Sequence, residues 1–269
     1  MKIFKKTLIY ALMIALALVF LVPLGYAVIT SLVPFEYVNK IPPLEVLSLR
    51  NYIKIFEQYP IMDWFKNSII VAVFTLAGNL VTSLLAGYAL AKFKFRGREA
   101  VFNLILVQLM IPFQVLLTPL YIMVAGLGWH STNIGLIVPF LVSGLSIFMA
   151  RQFYKTIPDE LIEAARVDGL GYIRSFFHIS LPLSGPLVVT LAILDFTSCW
   201  NAYLVPSTFL AKNTAFTLPV GLATIKAANF IRPNETMAGV LILSLPVIIV
   251  FLILQRQFIE GIATSGLKG

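Results

Sequence analysis

The sequence predicts an all-α integral membrane protein with six transmembrane helices and both termini in the cytoplasm. Three observations carry that reading. The chain of 269 residues is 59% hydrophobic and only 12% charged, whereas soluble domains are about a quarter charged. Its mean hydropathy is +0.92. The apolar residues fall into six runs near the roughly 17–25 residues that a helical crossing needs. Finally, thirteen of the 20 Lys and Arg residues lie on one side of the alternating runs and six on the other, with Lys66 at a boundary. Cytoplasmic loops carry the basic excess, which places both ends inside. The same distribution accounts for the +8 net charge without nucleic acid as a partner. Continuous apolar runs exclude a membrane β-barrel, whose strands alternate polar and apolar positions.

The elements follow in order. Met1 to Lys6 carries three lysines, and residues 7–32 are almost uninterrupted apolar sequence. This run exceeds the about 7–15 residues of a signal-peptide core and no A-x-A-like site follows it, so it reads as an uncleaved first span. Residues 33–66 form a mixed external segment with a short helix near Asn51 to Gln58. Residues 67–91 are the second span, followed by the basic loop from Lys92 to Glu99, KFKFRGRE. The third span, 101–124, is interrupted by Pro112 and Pro119. The fourth, 134–150, is short and extends into its flanking loops. After the polar loop 151–186 come the fifth span, 187–205, a mixed loop to Glu235, the sixth span, 236–254, and a cytoplasmic tail, 255–269. Together they form a single transmembrane domain.

The loop 151–186 is polar where its surroundings are not. From Pro158 to Pro186 it reads PDELIEAARVDGLGYIRSFFHISLPLSGP. Pro158 suits a first helical turn, and Asp159 and Glu160 suit the positive end of the helix dipole. Leu161, Ile162, Ala165 and the stem of Arg166 make a short amphipathic helix, which Gly169 and Gly171 end. A second short segment, Tyr172 to His178, runs into Pro182 and Pro186. Small Ala164 and Ala165 leave room for a partner, and Glu163 and Asp168 offer it carboxylates. Chemistry alone leaves two readings: a solvated helix between spans, or a docking element.

The ordered spacing Glu163-Ala164-Ala165, Asp168-Gly169, Ile179 and Leu181-Pro182 resembles the EAA loop of binding-protein-dependent ABC importer permeases. The resemblance extends through Leu85 to Ala91 with Phe95-Arg96-Gly97, Met110 to Gln114, Pro119-Leu120-Tyr121 and Trp200-Asn201, although Ala202 stands where an acidic residue is common. The tail from Phe258 to Gly261 and Gly266 to Gly269 resembles the carbohydrate-type branch, and more narrowly the second permease of the maltose-transporter kind. Residues 1–66 match only in pattern. The resemblance implies a type I ABC importer permease in a bacterial or archaeal cytoplasmic membrane. Its implied partners are a homologous permease, two ABC ATPase subunits that bind ATP and Mg, and an extracytoplasmic solute-binding protein. Glu163, Ala164, Ala165, Asp168 and Gly169 would form the ATPase joint. Gly266, Lys268 and Gly269 would reach the ATPase dimer, and the loop from Thr217 to Glu235 would face the binding protein. The implied solute is a carbohydrate, with glycerol phosphate or a polyol as alternatives.

This chain itself is expected to hold no cofactor and catalyse nothing. Gly261 to Gly266 imitates a P-loop opening, but Leu267 replaces the required Lys. Two separated histidines with no carboxylate cluster give no metal site, and Cys199 reads as a buried small side chain. Polar residues within spans are functional candidates by default. Asn79 and Gln108 read as interhelical hydrogen-bonding groups, whereas Gln114, Trp200 and Asn201 read as candidates for the solute path. Asp195 serves either that path or pairing within a permease dimer. An ion-coupled carrier is disfavoured, because such proteins bury several ionisable groups. Gly78, Ser83, Ala86 and Gly87 permit close helix packing.

Overall fold

A computed structural model of the chain describes residues 2–228 and 232–266, with side chains described for 5–225 and 232–257. Among the described residues every regular element is helical. The helices are α1 (Lys2–Leu32), α2 (Arg50–Gln58), α3 (Ile61–Lys92), α4 (Arg98–Met110), α5 (Phe113–Gly126), α6 (Asn133–Ile137), α7 (Gly144–Thr156), α8 (Asp159–Val167), α9 (Tyr172–Ser175), α10 (Leu181–Leu183), α11 (Gly185–Trp200), α12 (Leu204–Phe209), α13 (Leu218–Ala228) and α14 (Pro233–Gly266). Five segments are long and apolar enough to cross a bilayer: Lys5–Leu32, Ile61–Lys92, Asn133–Thr156, Gly185–Phe209 and Pro233–Gln257. α4 and α5 are long and apolar enough only as a pair, bent by 101° at their junction, the geometry of a broken span or a re-entrant loop.

The bend has a local cause. Proline disfavours helical geometry in the residue before it, and Ile111 is extended at ψ 120° while Pro112 caps α5. Pro119, expected to interrupt the same span, lies inside α5 without ending it. The second span begins earlier than expected, at Ile61. At 1.5 Å per residue its 32 residues run roughly 48 Å, well beyond the about 30 Å hydrocarbon core. The stretch from Thr217 to Glu235, read as a loop, contains α13, because Pro219 near a helix start costs no hydrogen bond. Residues 261–266, the P-loop imitation, are helical.

The chain packs as two compact units, Met1–Met62 with Val220–Pro246 and Asp63–Pro219 with Val247–Gly269. In the first, α1 presents apolar side chains outward from Leu8 to Leu24, each more than half exposed at Leu8, Phe20 and Val22. Polar groups hold its foot. The Asn51 amide donates to the carbonyls of Ser31 and Val33 at 2.8 and 2.9 Å, and Asn234 donates to Asn51 at 2.9 Å. Beside them Glu235, 1% exposed, receives Lys54 at 3.4 Å and Arg232 at 3.3 Å. Asn234 heads a glycosylation sequon by pattern, yet it is buried with its amide engaged.

In the second unit, Leu84, Tyr88, Ala150, Tyr154, Phe176 and Leu191 build a core between α3, α7 and α11. Lipid tails are as apolar as these side chains, so close packing rather than water exclusion must hold such helices together. Gly87 lets α3 and α7 approach closely: a Cβ there would lie 2.8 Å from the Arg151 backbone nitrogen. Gly78 meets the Leu141 side chain instead, and Ser83 is fully buried with its hydroxyl on Asn79 at 2.7 Å.

Gly87→Ala is therefore expected to destabilise the second unit by about 1–3 kcal/mol, the usual cost of overpacking. Gly126→Ala, with open space around it, should be neutral. Thermal melting of the purified protein in mild detergent checks both, and equal melting points would contradict the packing account.

Candidate functional site

The docking stretch folds as its residues require. Pro158 stands just before α8 as its N-cap rather than within the first turn, and Asp159 and Glu160 occupy that turn. At the other end Gly169 takes φ +86°. Its N–H bonds to the Arg166 carbonyl at 3.1 Å, and the Leu170 N–H bonds to the Ala165 carbonyl at 2.9 Å. That pair of bonds is a Schellman cap, which only a left-handed residue closes. Gly171, expected to help end this helix, instead has φ −71° and opens α9. Pro182 and Pro186 do not break the chain either; each sits in the first turn of a helix, α10 and α11, where its missing N–H is harmless. Between α9 and α10 lies a π turn, Phe176–Ser180.

The helix has two faces. Ile162 and Ala165 are buried, at 4% and 5% exposure. Leu161, Glu163, Ala164, Val167, Asp168 and Gly169 face outward. Arg166 folds back so that its guanidinium lies 4.6 Å over the Tyr172 ring and donates to the Tyr172 hydroxyl at 3.0 Å.

One ion pair ties this element to the membrane helices, and a second joins α4 to α7. The Lys92 ammonium, at the end of α3, meets the Asp159 carboxylate at 2.6 Å and also donates to the Ile157 carbonyl. Lys92 is nearly buried while Asp159 is mostly exposed. A cation at a helix C-terminus is itself favoured. The hydrogen bond and charge of Lys92 hold the Asp159 carboxyl below the usual carboxylate range. Arg151, buried in α7, pairs with Glu99, donates to the Leu90 carbonyl at 3.1 Å and stacks 3.7 Å over Phe102. Aromatic rings fill the space between: Tyr88 packs on Phe93, Tyr154 and Phe176, and its hydroxyl donates to the Tyr172 carbonyl. In the sequence Lys92 and Arg151 stand out only as two of the basic residues that set the topology. No local pattern links Lys92 to Asp159, which lies 67 residues away.

Within the second unit, residues of α3, α4, α5, α11, α12 and the segment around α6 and α7 line an open cavity of about 660 Å³. One stripe of α3 contributes Ser68, Thr75 and Asn79, and α11 contributes Asp195, Ser198 and Cys199. Of the proposed path residues, Asp195 lines it; Gln114, Trp200 and Asn201 do not. Trp200 is 1% exposed, stacked on Phe196 and edge-on to Phe65, so it is core. Asn201 is exposed at the end of α11. Conversely Asn79 and Gln108, read as structural, both line the cavity. Lys268 and Gly269 lie outside the described residues, and Gly266 is the last residue of α14. Among the described residues no group of three His, Cys, Asp or Glu side chains is placed to hold a metal ion.

The described residues thus form a multi-pass helical membrane protein whose polar segment carries a short helix, α8, capped at Gly169 and paired to α3 through Asp159. Residues 78–263 match the sequence profile of the binding-protein-dependent transport system inner membrane component family, and the chain belongs to that family. It is 38% identical over 224 residues to the arabinooligosaccharides transport system permease protein AraQ of Halalkalibacterium halodurans, covering 83% of this chain and 80% of the relative. It is 34% identical over 201 residues to the sn-glycerol-3-phosphate transport system permease protein UgpE of Pectobacterium atrosepticum, covering 74% and 72%. The fold is also that of a chain in the crystal structure of a bacterial ABC transporter involved in the import of the acidic polysaccharide alginate, with a TM-score of 0.80, 23% identity, and 93% and 95% of the two chains covered.

The Lys92–Asp159 tie has a pH signature. A carboxyl held low in the folded state contributes stability above its ordinary value of about 3.9 and loses it as pH falls through the lowered value. The melting-point difference between the wild type and Asp159→Asn should be constant near neutrality and shrink below about pH 4. A difference undiminished at strongly acid pH would contradict the ion pair.

Proposed function

We propose that this chain forms half of the membrane path of an ATP-driven importer for a carbohydrate, a di- or oligosaccharide, and receives the ATPase stroke through α8. The observation that carries the reading is the geometry of α8. Its outward face offers Glu163, Ala164, Asp168 and Gly169, while Ala165 and Ile162 anchor the inner face. A motor that both pushes and pulls needs a joint that does not yield. The Schellman cap and the Lys92–Asp159 pair make one.

In this reading two ABC ATPase subunits bind ATP and Mg, and this chain is not catalytic. A homologous permease supplies the other half of the path, and an extracytoplasmic binding protein delivers the solute. The tail at Gly266, Lys268 and Gly269 extends toward the ATPases. The complex sits in a bacterial or archaeal cytoplasmic membrane, with lipid against the outward apolar face of α1. Similarity to an arabinooligosaccharide permease supports the carbohydrate. Similarity to UgpE supports glycerol phosphate as the second reading.

Glu163→Lys and Gly169→Pro test the joint. Proline cannot adopt the positive φ of Gly169, so the cap would open. Both variants should insert and pair normally yet lose at least tenfold in ATP-driven uptake by proteoliposomes of the full complex. Normal uptake by both would remove the docking role.

A further inference from the structure

The loop that joins α3 to α4 concentrates positive charge at the membrane surface. Lys92 ends the second span, and residues 93–97 lead straight into α4. So short a connection stays beside the bilayer, on the cytoplasmic side that the basic excess defines. Around it Lys92 is paired with Asp159, and buried Arg151 with Glu99. Arg98 meets the same Glu99 oxygen at 3.1 Å and donates to the Phe93 carbonyl at 3.3 Å. Lys94 and Arg96 are exposed and make no ion pair or hydrogen bond among the described residues. The charges of Lys94 and Arg98 reach Asp159 only through space. Lys92, Lys94, Arg96, Arg98 and Arg151 thus face only Glu99 and Asp159 here, and the surplus is positive.

The surface is shaped as well as charged. Gly97 turns the chain at φ +88°, and residues 94–100 line an open hollow at the start of α4. The N–H groups of Glu99 and Ala100, in the first turn, bond to no loop carbonyl, and a helix N-terminus favours an anion. Phe95 stands among the cations, 45% exposed. From Arg98 an outward stripe continues along α4 through Val101 and Leu104, 45% and 70% exposed, while Phe102 turns inward under Arg151. Cations bordered by exposed apolar side chains suit the boundary between headgroups and acyl chains, and basic juxtamembrane segments attract anionic lipid. A soluble acidic partner would leave the apolar stripe without a use.

We propose that the α3–α4 loop binds the phosphodiester headgroup of an anionic phospholipid of the cytoplasmic leaflet. Lys94, Arg96 and Arg98 surround the phosphate, and Phe95, Val101 and Leu104 lie against the acyl chains. The inference rests on the membrane topology and not on the importer reading. A basic loop that only fixes topology acts during insertion and needs no lasting partner. This one keeps Lys94 and Arg96 free beside a hollow and an apolar border in the folded protein.

A photoreactive side chain in the loop reads its neighbours directly. Phe95→benzoylphenylalanine keeps the aromatic ring and is introduced into the purified protein with all its subunits, in nanodiscs of phosphatidylcholine with a minority of phosphatidylglycerol. After illumination, mass spectrometry of the peptide identifies the adduct. Phosphatidylglycerol should be over-represented at least about fivefold against its share of the bilayer, as surface cations attract anionic lipid. Lys94→Gln combined with Arg96→Gln should bring the ratio to within about twofold of that share. Lys155→Gln combined with Arg174→Gln, also exposed cations of the second unit, should leave it unchanged. Salt at about 1 M, where charges are screened beyond about 3 Å, should lower it. If the loop double variant fails to assemble, the wild-type ratio and its salt dependence decide. Adducts in proportion to the bulk lipid, adducts on another protein subunit in place of lipid, no adduct at all, or a ratio lowered equally by the Lys155 and Arg174 changes would each overturn the proposal.

Discussion

Close approach of α3 and α7 at Gly87 is the constraint on which the second unit depends. In lipid there is no water to expel from between two apolar helices, so the contact must be won by fit. Gly87 has no side chain to hold α3 away from Ala150 and the Arg151 backbone. Once the backbones touch, Arg151 reaches across to the Leu90 carbonyl and the ring of Phe102, and Tyr88 meets Tyr154. A bulkier residue at position 87 would move all of these together, since they share one interface.

The same contact positions α8. α3 outruns the hydrocarbon core, so Lys92 emerges where it can hold Asp159 and the Ile157 carbonyl at the entrance to α8. The exit from α8 is fixed by the Gly169 cap and by Tyr88 on the Tyr172 carbonyl. A force applied to Glu163 or Ala164 therefore passes into α3 and α7 by short, well-packed routes. The π turn at Phe176–Ser180 lies on the way from α8 to α11, and π turns recur at functional sites. It packs on the same Tyr88–Tyr154 cluster, so α11, which carries Asp195, is connected to α8 through that cluster.

Helix identity, the family and the short amphipathic helix α8 were legible in the sequence because each leaves a local mark: an apolar run, a motif with fixed spacing, a glycine after an amphipathic segment. What was not legible depends on long-range packing. Pro112 and Pro119 look alike in sequence, yet only the first ends a helix. Inside an all-apolar run, periodicity does not say which face fronts a cavity. Gln108 and Asn79 thus passed for structural groups while buried Trp200 passed for a path residue. Gly171 carries the same permissive backbone as Gly169 but uses an ordinary φ. The partner of Lys92 is set by the folded chain and has no signature nearby.

The central claim is that α8 is the seat of a separate motor subunit. Affinity purification of the tagged chain from mild detergent, with mass spectrometry of whatever accompanies it, tests this most directly. The account predicts an ABC ATPase and a second permease in stable association. A chain recovered alone, stable and still transporting solute in liposomes, would contradict it and make this protein a carrier driven by another source of energy.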